Sequence, residues 1–156
     1  MKPILLVLVP VLYAQPAAHP SDWVAAGIHY NNYSAPQLGG LVVYAHRVSD
    51  SGTYSFSMIQ FTSVSTNPFR LGTIPETGVA QYIKNILGFE VYGVAMAGAV
   101  TSSNSGGTNV GFAGSAGGLA HRGIGKGFGV APYLLYTKPG GIPQQWAVGV
   151  LISLGR

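Results

Sequence analysis

The stretch Val91–His121 reads VYGVAMAGAVTSSNSGGTNVGFAGSAGGLAH and contains no Asp, Glu, Lys or Arg. Eight glycines interrupt it, and the polar segment Ser102–Gly107 divides it into two halves. A transmembrane helix needs about 20 consecutive apolar residues, and these glycines and small polar residues break any such run. The uncharged, alternating pattern instead favours two β-strands and a turn beside an apolar medium.

The whole chain of 156 residues shares this shortage of charge. Charged residues make up 8% of it, whereas soluble proteins contain about 25%. Because a soluble surface needs many charges of both signs, this composition favours a membrane surface. The net charge of +4 comes from scattered basic residues, so we expect no nucleic-acid partner. The chain has no cysteine, which excludes disulfides and thiolate metal sites.

The first residues have the pattern of an export signal. Lys2 supplies a positive charge, an apolar run follows from Ile4 to Leu12, and small alanines stand at positions 14, 17 and 18. The run is too short to span a bilayer, and Pro10 interrupts it. We therefore expect a signal peptide over residues 1–18 and a single β-barrel domain over residues 19–156.

Strand-length segments separated by turn residues recur along the rest of the chain. Gln81–Leu87 is the best helical candidate, and its periodicity is weak. No repeat of fixed period is visible, which disfavours a propeller or a solenoid. Eight strands are predicted, at Asp22–Tyr30, Gly39–Val48, Thr53–Phe61, Thr77–Lys84, Phe89–Thr101, Thr108–His121, Lys126–Thr137 and Gln144–Leu154.

The two faces of the last predicted strand differ in side-chain size. Alternate residues from Trp146 to Ile152 are large and apolar, whereas Ala147 and Gly149 between them are small. Small residues suit the inside of a narrow barrel, and large apolar residues suit lipid. We therefore predict that the large face points outward and that Gly and Ala line a tightly packed interior.

The third predicted strand divides in the same way. Tyr54, Phe56 and Met58 alternate with Ser55 and Ser57. By the same reasoning, the three large side chains are expected to face lipid and the two serines the interior.

The links between predicted strands alternate in length. Three short links, at Ser49–Gly52, Asn85–Gly88 and Arg122–Gly125, would lie at one end of an up-and-down barrel, as periplasmic turns do in outer-membrane barrels. The longer links would lie at the opposite, outer end: Asn31–Leu38, Thr62–Glu76, Ser102–Gly107 and Lys138–Pro143.

The charged residues follow the same polarity. Most of them fall near the predicted short turns, and only Arg70, Glu76 and Lys138 fall in the predicted outer loops. A charge on the lipid face at mid-depth costs roughly 2–4 kcal/mol. Avoidance of that cost explains why the middle of each predicted strand is almost free of formal charge.

In these features the chain resembles the small eight-stranded outer-membrane β-barrels of Gram-negative bacteria. The resemblance covers about Asp22–Arg156 and rests on the export signal, the period-two alternation, the link lengths and the closing strand Trp146–Leu154. It implies an all-β, eight-stranded antiparallel up-and-down transmembrane barrel in the bacterial outer membrane, in contact with lipid. Typical lumens of this class hold Arg/Glu/Tyr networks, whereas a Gly/Ala interior here would leave no wide aqueous pore.

The most consistent role is non-catalytic: a scaffold that presents outer loops to an extracellular partner, or that supports envelope integrity. One alternative is a periplasmic or secreted soluble β-barrel or sandwich that binds an apolar ligand. The other is a membrane-embedded lipid hydrolase or acyltransferase. Such an enzyme places Ser, His and an acid near the outer rim or the lipid face, which makes His29, Ser34 and Glu76 weak catalytic candidates.

Metal and cofactor chemistry find no support in the sequence. The four histidines lack metal-ligand spacing, and the chain contains only four acidic residues. A lone histidine on a barrel strand is expected to form hydrogen bonds in the lumen or at the rim. We therefore predict neither a metal nor a cofactor.

Overall fold

The computed structural model describes residues 21–31, 37–66, 69–104, 107–140 and 144–155. The predicted signal peptide and Ser34 lie outside these residues. The described residues contain no helix that is long and apolar enough to cross a bilayer. They form eight strands, β1 (Asp22–Asn31), β2 (Gln37–Arg47), β3 (Thr53–Thr66), β4 (Phe69–Ile86), β5 (Phe89–Asn104), β6 (Gly107–Gly125), β7 (Phe128–Pro139) and β8 (Gln145–Gly155).

The sheet closes on itself. Each strand pairs antiparallel with its neighbours in sequence, and β1 also pairs with β8 from Trp23↔Gly155 to Asn31↔Ala147. The predicted eight-stranded up-and-down barrel is therefore confirmed. The weak helical candidate at Gln81–Leu87 was wrong, because residues 81–86 continue β4.

Side chains of β8 alternate between the outside and the inside of the barrel. Alternate residues from Trp146 to Ile152 are 46–55% exposed, whereas Ala147, Leu151 and Ser153 are each 1% exposed. The large apolar face thus points outward, as predicted for a membrane barrel. A soluble barrel would turn that face inward.

The predicted orientation of β3 was wrong. Tyr54, Phe56 and Met58 are 1–2% exposed inside the barrel, and the serines between them lie on the outside. The register explains the difference, because Phe56 pairs with Ala45 of β2 and Gly78 of β4, which are small and leave room for its ring. The interior is therefore not a Gly/Ala lining: large side chains from some strands fill the space beside small ones from others.

The packed interior is centred on aromatic and aliphatic side chains. The ring of Trp23 meets that of Tyr54 edge-on at 6.3 Å between centroids, and Tyr54 meets Tyr92 at 5.7 Å. A cavity of about 10 Å³ remains between Val43, Phe56 and their neighbours. That volume is at the lower limit for one water molecule, so side chains fill the interior around Phe56.

The connections differ from the predicted ones. At one end, which we call the short-turn end, they are residues 48–52, 87–88 and 126–127; the predicted turn Arg122–Gly125 belongs to β6. At the opposite, outer end they are residues 32–36, 67–68, 105–106 and 140–144. The predicted long loop Thr62–Glu76 is mostly strand, so the expected difference in link length largely disappears.

The two ends of the barrel differ instead in how far the individual strands extend. A tilted transmembrane strand needs about 9–11 residues, whereas β4 has 18 and β6 has 19. At the outer end, the β2–β3 ladder stops at Gly40↔Phe61 and the β6–β7 ladder at Ala113↔Pro139. Beyond these pairs, β3 continues with β4 and β6 continues with β5. We call these two continued hairpins the outer extension.

Charged side chains gather at the short-turn end, as predicted. Asp22 accepts a hydrogen bond of 2.8 Å from Tyr44 Oη, and its Oδ1 lies 2.7 Å from His46 Nδ1. Arg47 approaches Asp50 at 3.6 Å in the first turn. Glu76 does not follow the prediction, because it lies on β4 with its side chain inside the barrel.

Candidate functional site

Buried polar side chains mark the interior as the first place to look for a site. Their relative exposure is 8% or less, and all of them occupy inward positions of the strands. They are His29, Gln60, Glu76, Ser115, His121, Thr137, Gln145 and Ser153.

One hydrogen bond crosses from β6 to β4. Ser115 Oγ donates to Glu76 Oε2 at 2.7 Å. On β5, which lies between, the residue paired with Glu76 is Gly98. A Cβ at Gly98 would collide with the backbone of Pro75 and Glu76, so only glycine allows this close approach of the strands.

Two further hydrogen bonds repeat this arrangement. His29 Nδ1 on β1 lies 2.8 Å from Tyr133 Oη on β7, and Gly149 of β8 pairs with both residues. A Cβ at Gly149 would stand 2.7 Å from His29 Cβ and 2.8 Å from Tyr133 Oη.

The other of these two hydrogen bonds lies nearer the short-turn end. His121 Nε2 on β6 lies 2.9 Å from Ser153 Oγ on β8. A Cβ at Gly129 of β7 would stand 2.5 Å from each of these two atoms. At Gly149 and Gly129 the glycine clears the space through which two non-neighbouring strands join, whereas at Gly98 it allows the backbones of β4 and β5 to approach closely.

Five of the buried side chains form a band that we call the polar layer: Gln60, Glu76, Ser115, Thr137 and Gln145. Thr137 Oγ1 lies 2.8 Å from Ser115 Oγ, and Thr137 pairs with Ser115 on one side and Gln145 on the other. Glu76 pairs with Met58, two residues from Gln60, so these two side chains are diagonal neighbours on the inner face.

Apolar side chains cover the polar layer from both directions. Ile74, Val100 and Ala113 form a small buried cluster on its outer side. The main apolar cluster, which includes Met58 and Leu135, lies on the short-turn side. The layer is therefore a polar section within an otherwise apolar interior.

The catalytic candidates do not form a shared site in the described residues. His29 and Glu76 are 2% and 4% exposed inside the barrel, and their hydrogen bonds go to different partners. An acyl-transfer site of the expected kind would instead lie at the outer rim or the lipid face. The part of the chain that the structure describes also contains no group of three or more His, Cys, Asp or Glu side chains that could hold a metal.

Sequence reasoning did not predict four members of the polar layer. Gln60, Ser115, Thr137 and Gln145 are uncharged and occur in no chemical motif. The available signal was position: each of these residues lies an even number of positions from the buried residues of its own strand and therefore shares their parity. That parity becomes informative only once the register of neighbouring strands is known.

The outside of the barrel is apolar around its circumference. Large apolar side chains with at least 43% exposure occur on several strands, including Val24, Ile28, Val42, Ile59, Val79, Leu134, Val148, Val150 and Ile152. A closed sheet satisfies its backbone hydrogen bonds internally, which is what a bilayer requires. A closed eight-stranded sheet with this exterior and a packed interior defines the class: a small outer-membrane β-barrel.

Solved structures with the same architecture agree with this class. Neisserial surface protein A is 8% identical, with 87% of this chain and 97% of that one covered and a TM-score of 0.69. The N-terminal β-barrel domain of Pseudomonas aeruginosa OprF is 12% identical, with 88% and 98% covered and a TM-score of 0.54. Ail of Yersinia pestis is 13% identical, with 88% and 100% covered and a TM-score of 0.53.

At these identities the likeness shows a shared fold. Neither a protein-family model nor a curated protein matches the sequence. The bacterial outer membrane is the location that the fold and its apolar exterior indicate.

Proposed function

We propose that the protein is a non-catalytic scaffold of the outer membrane that presents its outer extension at the cell surface. The packed interior carries this proposal. Side chains such as Trp23, Phe56 and Tyr92 fill the barrel, and a cavity beside Phe56 and Val43 has a volume of only about 10 Å³. A lumen filled in this way offers neither a water channel nor space for a substrate.

The outer extension supports a role in contact with another molecule. Beyond Phe61 and Phe112, whose carbonyl accepts from Gly140 N–H, β3 and β6 each keep one strand partner in the described residues, so their other edges carry backbone N–H and C=O groups outside the continuous barrel ladder. Residues 62–66 and 107–112 include no Lys or Pro, the residues that commonly protect a sheet edge. An extended segment of an extracellular protein is the kind of partner that adds to such an edge.

The pore question has a direct test. The purified chain, reconstituted into a planar bilayer, should produce no stable conductance steps, because the apolar interior excludes hydrated ions. A general porin in the same lipid supplies the positive control. Reproducible steps that grow with salt concentration would contradict the packed-lumen proposal.

Surface presentation can be tested by cysteine labelling, since the chain has no cysteine of its own. Thr108→Cys places a thiol on the outer extension, and Ser51→Cys places one in a short turn; both positions are exposed. A membrane-impermeant maleimide should label the first variant on intact cells. The second should react only after the outer membrane is permeabilised.

Labelling, solubility and lipid analysis together separate the alternatives. A reversed labelling pattern would show that the extension faces the periplasm, and recovery of the chain without detergent would support a soluble barrel. The lipid-modifying alternative predicts that substituting His29 and Ser34 changes the lipid profile, whereas a scaffold leaves that profile unchanged.

A further inference from the structure

We propose that the polar layer binds a single hard cation, with Glu76 as its charged ligand and with amide and hydroxyl oxygens completing its coordination. The first step concerns unpaired atoms. Glu76 Oε1 and both polar atoms of the Gln60 and Gln145 amides have no hydrogen-bond partner. These three side chains are only 1–4% exposed. Buried polar groups are almost always satisfied, so this concentration in one layer indicates a bound species.

The second step concerns charge. Glu76 is a buried carboxyl group whose hydrogen bond comes from the neutral Ser115. None of the ion pairs between described residues involves Glu76. A buried carboxyl group either takes up a proton or pairs with a positive charge, and the polar layer itself contains no Lys, Arg or His, so an ionised Glu76 needs a bound cation.

The third step concerns the direction of the hydroxyl groups. Ser115 gives its only hydroxyl hydrogen to Glu76, so it accepts in its 2.8 Å contact with Thr137, and Thr137 donates. Both hydrogens therefore point along the chain toward the carboxylate. With Glu76 as the acceptor, oxygen lone pairs remain available on both hydroxyls for an ion.

The fourth step concerns ligand type. Carboxylate, amide and hydroxyl oxygens are the donors that hard cations prefer. Rotation of the Gln60 and Gln145 amide groups exchanges their O and N positions, so each side chain can present its oxygen to the ion. The single formal charge of the layer suits Na⁺, or Ca²⁺ with weak affinity, because affinity for Ca²⁺ rises with the number of charged ligands.

The apolar clusters on either side strengthen the electrostatic attraction. They exclude bulk water from the layer, and the attraction between a carboxylate and a cation increases in such surroundings. The competing state is ordered water beside a protonated Glu76, since water would satisfy the amides and the bound proton would remove the charge.

The test compares salts on the full chain refolded in detergent. Wild type, Glu76→Gln and the control Glu90→Gln are dialysed into choline chloride and then transferred to NaCl or CaCl₂ at equal ionic strength. Glu90 lies at the short-turn end, where Tyr92 donates to its carboxylate at 2.9 Å. At least one of the two cations should raise the melting temperature of wild type and Glu90→Gln by about 4 °C or more.

Glu76→Gln should show no such rise, because it keeps an acceptor for Ser115 but loses the charge. An equal response in Glu76→Gln, or no response of wild type to either cation, would overturn the proposal; the latter result means that Glu76 is protonated and that the layer holds water only. Equilibrium dialysis of wild type with labelled Na⁺ or Ca²⁺ covers the case in which Glu76→Gln does not fold. About one ion per barrel supports the site, and none retained refutes it.

Discussion

Gly149→Ala is expected to destabilise the barrel by about 2–6 kcal/mol, because two costs combine at one position. The added methyl group meets the Ile28 carbonyl, His29 Cβ at 2.7 Å and Tyr133 Oη at 2.8 Å. Overpacking of this kind costs roughly 1–3 kcal/mol. Loss of the His29–Tyr133 hydrogen bond leaves buried groups unpaired, which costs about 1–3 kcal/mol more. Urea-induced unfolding in lipid vesicles measures the total decrease in the free energy of unfolding.

A matched glycine and a double variant provide the controls. At Gly114, an added Cβ has its nearest neighbour at 3.8 Å, so Gly114→Ala should change the free energy of unfolding by no more than about 0.5 kcal/mol. In a Tyr133→Phe background the hydroxyl is absent, so Gly149→Ala should cost less than in wild type. If Gly149→Ala and Gly114→Ala lowered the free energy of unfolding equally, the role assigned to Gly149 would be refuted.

Val150→Arg is expected to destabilise the barrel in lipid by roughly 2–4 kcal/mol, the cost of a charge near the bilayer midplane. Val150 is 46% exposed on the outside and pairs with Ile28 and Pro132 at the middle of the wall. The hydrocarbon chains of the lipid therefore surround its side chain. The free energy of unfolding in phospholipid vesicles again supplies the measurement.

Leu154→Arg is the matched control, because Leu154 lies on the same outer face of β8 and is 55% exposed. It stands near the short-turn end, where an arginine reaches the interface and costs about 0–1 kcal/mol. A water-soluble barrel would tolerate both arginines equally. Two small and similar effects would therefore count against the membrane barrel.

Alternation and turn residues were sufficient to locate all eight strands, but side-chain size was not sufficient to orient each one. The small inner face of β8 gave the correct direction, whereas the same rule failed for Tyr54, Phe56 and Met58 of β3. An eight-stranded barrel must fill its interior with some large side chains. Which strand supplies them depends on the small residues paired opposite, here Ala45 and Gly78, and therefore on a register that one strand does not reveal.

The position of Glu76 shows a second limit of the sequence. The sequence placed Glu76 at the end of a predicted outer loop, Thr62–Glu76, between the third and fourth predicted strands. In the structure Pro75 pairs with Ile59 of β3, whereas the β4–β5 ladder has pairs at Thr73 and Glu76 but none between them, so β4 continues through the proline. Ser115 and Gly98, which lie beside Glu76, come from β6 and β5, and only the register of these strands brings them near it.

The bond between His29 and Tyr133 also has a kinetic consequence. These residues are 104 positions apart in sequence, and the bond spans β8 beside the seam where β1 meets β8. Hairpins of neighbouring strands form from local contacts, whereas the seam needs almost the whole chain in place. An interaction made only at closure cannot speed folding, so it acts by slowing reopening of the seam and prolonging the lifetime of the closed barrel.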